Sequence, residues 1–256
     1  MILAIDAGNT TEGFSGVKRL EGQNYHSLFT RKMDTVKDAD AAFYLAGMER
    51  ILGDVREELE GAILSSVVPT VTDALRQAAE TFLGEPPVVL GTDCKLGFTS
   101  GVRSFEKVGL DRLADATWAA EKFPLPVITV DIGTATTFNV IDRDRVFRGG
   151  AIAPGVETGL RSLVGRASQL SDIPLRTPTE RIGQDTESCM LLGIVAGAAA
   201  LIDGLSAGFE KELGEPASLV LTGGLSALVA PLCTHPLTAD PELLAKGLAL
   251  LYDKNK

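Results

Sequence analysis

The stretch Val127-Ile128-Thr129-Val130-Asp131-Ile132-Gly133-Thr134-Ala135-Thr136-Thr137 repeats a pattern that opens the chain as Ile2-Leu3-Ala4-Ile5-Asp6-Ala7-Gly8-Asn9-Thr10-Thr11. In both copies a short apolar run, typical of a buried strand, ends in an aspartate, one apolar residue, a glycine and small polar residues. The copies lie about half the chain apart, which predicts a duplicated domain rather than a solenoid. We therefore expect two domains of related design, covering residues 1–123 and 124–256.

Alternating strand and helix patterns surround the two copies. Apolar runs at 62–69 and 219–221 predict further buried strands. Apolar residues at helical spacing predict amphipathic helices over 71–83 and 111–123. The alternation predicts an α/β protein whose sheets are mostly buried.

The composition is that of a globular protein and excludes several classes. Hydrophobic residues make up 45% and charged residues 23% of the chain, which argues against long disordered segments. The formal net charge is −10, so no nucleic-acid-binding surface is expected, although a local basic pocket for a phosphate is compatible with it. The three cysteines form no CxxC pair and there are two histidines. A zinc site or a disulfide framework is therefore not expected, and the cysteines are predicted to be buried, in a reducing compartment.

Neither a signal peptide nor a membrane span is expected. The apolar run that begins at Ile2 has no basic residues before it and meets Asp6 at once, unlike a signal peptide. The longest apolar stretch, 190–202, is shorter than the about 20 residues that a span needs. We expect this stretch to form a buried helix in a cytoplasmic protein that does not bind membranes.

Each Asp-x-Gly segment suits a metal–phosphate site. Glycine lets the backbone approach phosphate oxygens, and the N–H groups of a tight turn form a cradle for them. The Asp6 carboxylate is suited to hold Mg²⁺, directly or through a water. The alternative for one copy alone is a hairpin turn with Asx-type hydrogen bonds, or for the second copy an exposed Thr-rich hairpin. Because a second copy of the segment follows an equivalent predicted strand, we favour the phosphate site over the plain hairpin turn.

Two further segments are candidates for chemistry. Thr222-Gly223-Gly224 follows a predicted strand, and it would either let a flat nucleoside approach the backbone or form a plain strand-to-helix corner. In Gly109-Leu110-Asp111-Arg112, a carboxylate is available to accept a proton from a substrate hydroxyl. Arg112 adds a fork of donors for a carboxylate or a phosphate. The residues alone favour the alternative, in which Asp111 stabilises a helix start and Arg112 is exposed.

The chain resembles the type III pantothenate kinases, within the acetate and sugar kinase/Hsp70/actin superfamily. The resemblance lies in blocks that occur in family order over nearly the whole chain. The blocks are 6–10 (DAGNT), 66–69 (SVVP), 109–112 (GLDR), 131–138 (DIGTATTF), 149–155 (GGAIAPG), 182–186 (IGQDT) and 222–224 (TGG).

This resemblance implies a fold and an activity. The fold is α/β, with two actin-like (ribonuclease H-like) domains, duplicated mixed sheets flanked by helices, and an active site in the interdomain cleft. The activity is ATP-dependent phosphorylation of pantothenate to 4′-phosphopantothenate, the first step of coenzyme A biosynthesis. The implied cofactors are ATP, Mg²⁺ and a monovalent cation, K⁺ or NH₄⁺, and the implied assembly is a homodimer.

The resemblance also assigns roles to individual residues. The ATP-binding residues would be Asp6, Ala7, Gly8, Asn9, Thr10, Thr11, Glu12 and Gly13, with a further contact at Thr134. The pantothenate-binding residues would be Gly109, Leu110, Asp111, Arg112 and Thr186, and Asp111 would be the catalytic base. Asp131 would bind the monovalent cation.

Three departures from the family pattern motivate alternative hypotheses about the function. The stretch 101–108 lacks the Tyr and the Pro that are usual before Gly109, Asn139 stands where Asp is frequent, and Ala7 replaces a larger aliphatic residue. One alternative is a catalytically weak, nucleotide-binding regulatory or accessory protein on the same fold. Another is a different small-molecule kinase of the superfamily.

Overall fold

The repeated strand pattern produces two sheets of the same topology in the computed structural model, which describes residues 1–256. The chain forms two units: the first contains 1–97, 103–118 and 242–256, and the second contains 98–102 and 119–241. The predicted boundary at 123/124 marks where the sequence pattern repeats, and it stays a prediction. The two units are instead defined by which residues pack together. The C-terminal helix belongs to the first unit because it packs on strands of that unit.

Twelve strands and eight α-helices make up the two units. The strands are β1 (Ile2–Ala7), β2 (Thr11–Leu20), β3 (Asn24–Asp34), β4 (Gly61–Ser66), β5 (Val88–Val89), β6 (Thr99–Ser100), β7 (Val127–Ile132), β8 (Ala135–Ile141), β9 (Val146–Gly149), β10 (Ile152–Pro154), β11 (Ser218–Thr222) and β12 (Thr238–Ala239). The helices are α1 (Ala41–Leu52), α2 (Pro69–Leu83), α3 (Leu110–Lys122), α4 (Val156–Arg166), α5 (Thr186–Leu191), α6 (Gly197–Leu213), α7 (Ser226–Val229) and α8 (Leu243–Asn255). A π-helical turn, Leu192–Ala196, joins α5 to α6, and 3₁₀ turns lie at Gly53–Glu58, Phe105–Lys107 and Ala230–Leu232.

The first unit contains a five-stranded sheet in the order β3-β2-β1-β4-β5. The central strand β1 is antiparallel to β2 and parallel to β4. Leu3, Ile5 and Ala7 belong to a core with residues of α1 and α2, while α8 also packs against β1. Both faces of β1 are thus covered, which explains why its sequence is continuously apolar rather than alternating.

The second unit repeats this arrangement. Its sheet runs β12-β11-β7-β8-β9, with β6 added beyond β9 and β10 paired to β8. The central strand β7 is antiparallel to β8 and parallel to β11, as β1 is to β2 and β4. The predicted duplicated mixed sheets flanked by helices are therefore confirmed, because equivalent strands have the same order and the same directions.

The helical segment from Thr186 to Leu213 differs from the prediction of a buried helix. One face is buried in the core of the second unit, with Leu191, Val195 and Ile202, whereas Gly193 and Gly204 are exposed. By length and composition the segment is apolar enough to cross a membrane. That is a weak indication, since core helices of soluble proteins pass the same test.

The prediction of buried cysteines is wrong. Cys189 is exposed on α5, and Cys94 and Cys233 are partly exposed in connections outside regular strands. All three are free thiols. Composition alone did not reveal that these positions lie at the margins of the cores rather than within them.

Candidate active site

The segment from Asp6 to Gly13 forms the hairpin between β1 and β2. Asn9 and Thr10 are exposed at its tip. The Gly8 N–H donates to the Thr11 carbonyl at 3.1 Å and closes the turn. A Cβ at Gly8 would lie 2.9 Å from the same carbonyl oxygen, closer than side chains approach. The hairpin therefore requires glycine at this position, as the phosphate-loop hypothesis expects.

Thr35, the residue after β3, anchors this hairpin. Its N–H donates to the Thr10 carbonyl at 3.1 Å, and its hydroxyl donates to the Gly8 carbonyl at 2.7 Å. Sequence reasoning missed Thr35, which is remote from the hairpin along the chain. Only the register of β2 with β3, which pairs Thr11 with Asp34, brings it there.

Strand alternation divides the residues of the hairpin between two faces. Ala7 and Glu12 pair across β1 and β2, and both are fully buried. Asp6 and Gly13 form the next pair, are partly exposed, and lie on the opposite face. The Glu12 side chain therefore faces the core and does not share a surface with the Asp6 carboxylate. Burial raises the pKa of Glu12 to about 7.

The second hairpin, between β7 and β8, also begins with a glycine after the central strand, and its loop is one residue shorter. The Gly133 N–H donates to the Ala135 carbonyl at 3.0 Å, and Thr134 is exposed at the tip. The Thr134 carbonyl accepts the Gly155 N–H at 3.1 Å and the Thr158 hydroxyl at 2.7 Å. A Cβ at Gly155 would overlap the main chain of 133 and 134. As in the first unit, residues remote in the chain fix the tip of the loop, here Gly155 and Thr158.

Asp131 lies next to the third glycine turn. It pairs with Thr222 across β7 and β11, and Gly223 follows with a φ of +96°. A Cβ at Gly223 would overlap the Asp131 carboxylate. The turn does lead into α7, with the Ser226 hydroxyl donating to the Gly223 carbonyl at 2.7 Å. It is a strand-to-helix corner that also borders the candidate cation ligand.

Asp111 occupies the first turn of α3. The Leu113 N–H donates to the Gly109 carbonyl at 3.2 Å, and the Arg112 N–H donates to Oδ1 of Asp111 at 2.8 Å. A Cβ at Gly109 would overlap that carboxylate, which gives the Gly-x-Asp spacing a physical reason. Arg112 is partly buried, unlike the exposed arginine of the alternative reading. Burial lowers the pKa of Arg112 and the charge of Asp111 raises it, and an arginine remains charged.

Asn139, which departs from the family pattern, has a structural partner. It is fully buried and pairs with Thr129 across β7 and β8. Its amide nitrogen donates to the Thr129 hydroxyl at 3.0 Å. The amide thus satisfies part of its hydrogen-bonding capacity inside the sheet without placing a charge there.

Thr186 borders a groove in the second unit. It is exposed at the first position of α5, directly after the N-cap Asp185, whose carboxylate accepts the Ser188 N–H at 2.7 Å. The groove has a volume of about 710 Å³, and Met190 and Ile194 form part of its apolar wall. This mixture of polar and apolar lining residues suits a small polar organic ligand.

Comparison with known proteins gives consistent matches. A family model described as Type III pantothenate kinase matches residues 2–207. A Type III pantothenate kinase from Moorella thermoacetica is 34% identical over 256 residues, covering 100% of both chains. One from Zymomonas mobilis is 35% identical over 258 residues, covering 99% of this chain and 93% of its own.

Solved structures share the fold at low sequence identity. A conserved Baf family protein from Campylobacter jejuni has a TM-score of 0.59 at 17% identity, covering 98% of this chain and 97% of its own. A ROK family glucokinase from Streptomyces griseus, in complex with glucose and AMPPNP, has a TM-score of 0.55 at 13% identity. The match covers 99% of this chain and 98% of the glucokinase.

Proposed function

The chain belongs to the type III pantothenate kinase family, and we propose that it transfers the γ-phosphoryl group of ATP to pantothenate, forming 4′-phosphopantothenate for coenzyme A biosynthesis. The observation that carries this proposal is the 34% identity to a protein of that name over 100% of both chains. As a member of a kinase family it uses ATP and a divalent metal. We place the reaction in the cytoplasm.

The first hairpin is the proposed site for the phosphates of ATP. Gly8 permits the tight turn, and Thr35 holds two of its carbonyls. Asn9 and Thr10 are exposed at the tip and offer amide, hydroxyl and main-chain donors. Thr134, at the tip of the second hairpin, is proposed as a further ATP contact.

The two hairpin carboxylates fit the implied cations. Asp6 and Asp131 are partly buried, each at the penultimate position of a central strand. Carboxylate and hydroxyl oxygens are the ligands that hard cations prefer. We assign Mg²⁺ to Asp6, directly or through water, and a monovalent cation, K⁺ or NH₄⁺, to Asp131. Bound Mg²⁺ supplies neutralisation of the charge on the transferring phosphoryl group.

Asp111 is the proposed general base. The Arg112 N–H fixes the orientation of the Asp111 carboxylate, which accepts the proton of the pantothenate hydroxyl as the new O–P bond forms. We propose that the Arg112 guanidinium binds the pantothenate carboxylate as a fork of donors, and that Gly109, Leu110 and Thr186 complete the pantothenate site.

We also propose that the protein is a homodimer. Gly193, Gly204 and Gly208 are exposed on the helical segment 186–213, and a Cβ at each would meet nothing within 4 Å. Each glycine costs about 1 kcal/mol relative to alanine in an exposed helix. Close packing against a second copy of this face would offset that cost, and it would cover the helix on which Thr186 lies.

One experiment tests the function. The purified protein is incubated with ATP, Mg²⁺, K⁺ and pantothenate, and the products are identified by mass spectrometry. We expect ADP and 4′-phosphopantothenate in equal amounts. ATP binding without any phosphorylated product would overturn the proposal in favour of an accessory protein, and turnover of another alcohol but not pantothenate would identify a different kinase.

A further inference from the structure

Glu12 is a buried carboxyl group without an obvious structural reason. Its side chain is fully buried, and neither carboxylate oxygen has a hydrogen-bond partner of normal geometry. It pairs with Ala7 on β1 and Met33 on β3, both buried and apolar. An ionised carboxylate in such a place is strongly disfavoured, so the group tends to keep its proton.

The titratable group that faces Glu12 is the hydroxyl of Tyr44 on α1. Tyr44 is itself fully buried and donates its proton to the Val36 carbonyl at 2.7 Å. A tyrosine has one proton to donate, so its oxygen is left to accept a bond from Glu12. Only protonated Glu12 is able to supply that bond. No charged side chain acts on Glu12 from β1, β3 or α1. Burial raises the pKa of Glu12, and the Tyr44 hydroxyl lowers it to a smaller extent, because a hydroxyl that donates to a carboxylate favours the ionised form.

This pair is connected to the first hairpin through two consecutive residues. The Tyr44 hydroxyl donates a hydrogen bond to the Val36 carbonyl. Thr35, the residue before Val36, donates hydrogen bonds to the carbonyls of Gly8 and Thr10. The segment Thr35–Val36 is therefore bonded to Tyr44 on one side and to the hairpin tip on the other. Glu12 is itself a residue of the hairpin, and this series of bonds links its buried side chain to the hairpin tip at residues 8–10.

We propose that Glu12, in its protonated form, is a positioning residue for the ATP-binding hairpin, acting through Tyr44 and the Thr35–Val36 segment. When Glu12 loses its proton, its carboxylate competes with the Val36 carbonyl for the single proton of the Tyr44 hydroxyl, and the bond from Tyr44 to Val36 is weakened. Thr35 then holds Gly8 and Thr10 less firmly, and ATP binds more weakly. The proposal rests on the proposed function, because that function makes the hairpin an ATP site.

The first test is the pH dependence of ATP binding in the intact protein and in Glu12→Gln. The glutamine amide donates to the Tyr44 oxygen at every pH. We expect the dissociation constant for ATP, measured by calorimetry without pantothenate, to rise severalfold between pH 6 and pH 8 in the unmodified protein. We expect it to rise much less in Glu12→Gln. The phosphates of ATP also titrate in this range, but equally for both proteins, so the difference reports Glu12.

The same comparison separates positioning from mere stability in steady-state kinetics. The KM for ATP should follow the dissociation constant, while the KM for pantothenate stays the same in both proteins. Identical pH profiles of ATP affinity in the two proteins would overturn the proposal while leaving the kinase function intact.

The second test needs neither turnover nor nucleotide. Hydrogen exchange of the Thr35 amide, corrected for intrinsic rates, reports its bond to Thr10 directly. We expect protection to fall above pH 7 in the unmodified protein but not in Glu12→Gln. Tyr44→Phe removes the bond to Val36, so it should lower the protection of the Thr35 amide at every pH. This variant provides the test if Glu12→Gln does not fold. Unchanged protection in all three proteins would refute the connection, whereas a protein without kinase activity that shows the expected protection would refute only the proposed function.

Discussion

Asp6 and Asp131 occupy the same position in two equivalent sheets. Each is the penultimate residue of the central strand, and each is paired on one side to an antiparallel hairpin strand and on the other to a parallel strand. Their neighbours on the parallel strands are Ser65 and Thr222, both hydroxyl residues. The duplication thus reproduces a local environment in which a carboxylate stands beside a hydroxyl residue.

Replacing the proposed base should stop turnover without removing nucleotide binding. In Asp111→Asn the side chain keeps its size and its bond from the Arg112 N–H, but it no longer accepts a proton. We expect kcat to fall by a factor of about 10² to 10⁴, with the dissociation constant for ATP unchanged within error. Glu106→Gln, an exposed change close by in the chain, is the matched control. Near-normal kcat in Asp111→Asn would remove Asp111 from the mechanism.

A methyl group at Gly8 should disturb the first hairpin selectively. A Cβ there lies 2.9 Å from the Thr11 carbonyl, so Gly8→Ala must shift the turn that we assign to the phosphates. We expect the KM for ATP to rise about tenfold, the cost of misplacing a positioning loop, and the KM for pantothenate to change little. Gly53→Ala is the control, since a Cβ at that position meets nothing within 4 Å. Equal KM values for ATP in the two variants would contradict the assignment.

Removing the second carboxylate should change the response to monovalent cations. Asp131→Asn keeps an oxygen at the site but removes its charge. We expect the K⁺ concentration for half-maximal activity to rise by at least about tenfold, as loss of a group that supports a cation site typically does. Titrations with KCl and NH₄Cl at constant ionic strength measure this, with NaCl as the reference salt. An unchanged K⁺ requirement would move the monovalent site away from Asp131.

The raised pKa of Glu12 makes a prediction about stability. The unfolded chain releases this proton at an ordinary pKa of 4.5, whereas the folded protein holds it up to about pH 7. Folding stability therefore decreases as the pH rises from 4.5 to about 7 and then levels off. Glu12→Gln lacks this contribution. As the pH rises through that window, the ratio of its folding equilibrium constant to that of the unmodified protein should increase by up to about tenfold per pH unit. Urea titrations of both proteins at pH 5, 6, 7 and 8 measure the difference, and parallel curves would show that Glu12 titrates normally.

A charge on the exposed glycine face should separate the subunits of the proposed dimer. Gly204 is exposed on α6 with free space around it, and glutamate is the better helix former. Gly204→Glu should therefore fold as a monomer, with a raised KM for pantothenate. Sedimentation velocity measures the mass, and Gly165→Glu, at another open glycine on α4, is the control. A monomeric unmodified protein with full activity would contradict the dimer.

The sequence predicted the regular parts of the fold well and the anchoring contacts poorly. The central strands were recognised because burial on both faces leaves a continuous apolar run. The glycine turns were recognised because glycine after a strand permits a tight turn, and at Gly8 and Gly223 a Cβ would indeed crowd main-chain or carboxylate oxygens. Thr35 and Thr158 carry no comparable signal, since a threonine just after a strand or in the first turn of a helix has many uses.

The duplicated strand–Asp-x-Gly pattern, the order of the family motifs and the α/β class could all be read from the linear chain, because they depend on local periodicity and on residue types with narrow roles. The face on which each side chain lies and the contacts that hold the loops depend on how the folded chain packs. Glu12 and Asp6 lie in one motif, yet strand pairing sends the first into the core and leaves the second at the surface. The register of the β1–β2 hairpin places Glu12 beside Ala7, and α1 and α2, which are distant in the chain, cover that face of the sheet. No local pattern encodes that packing.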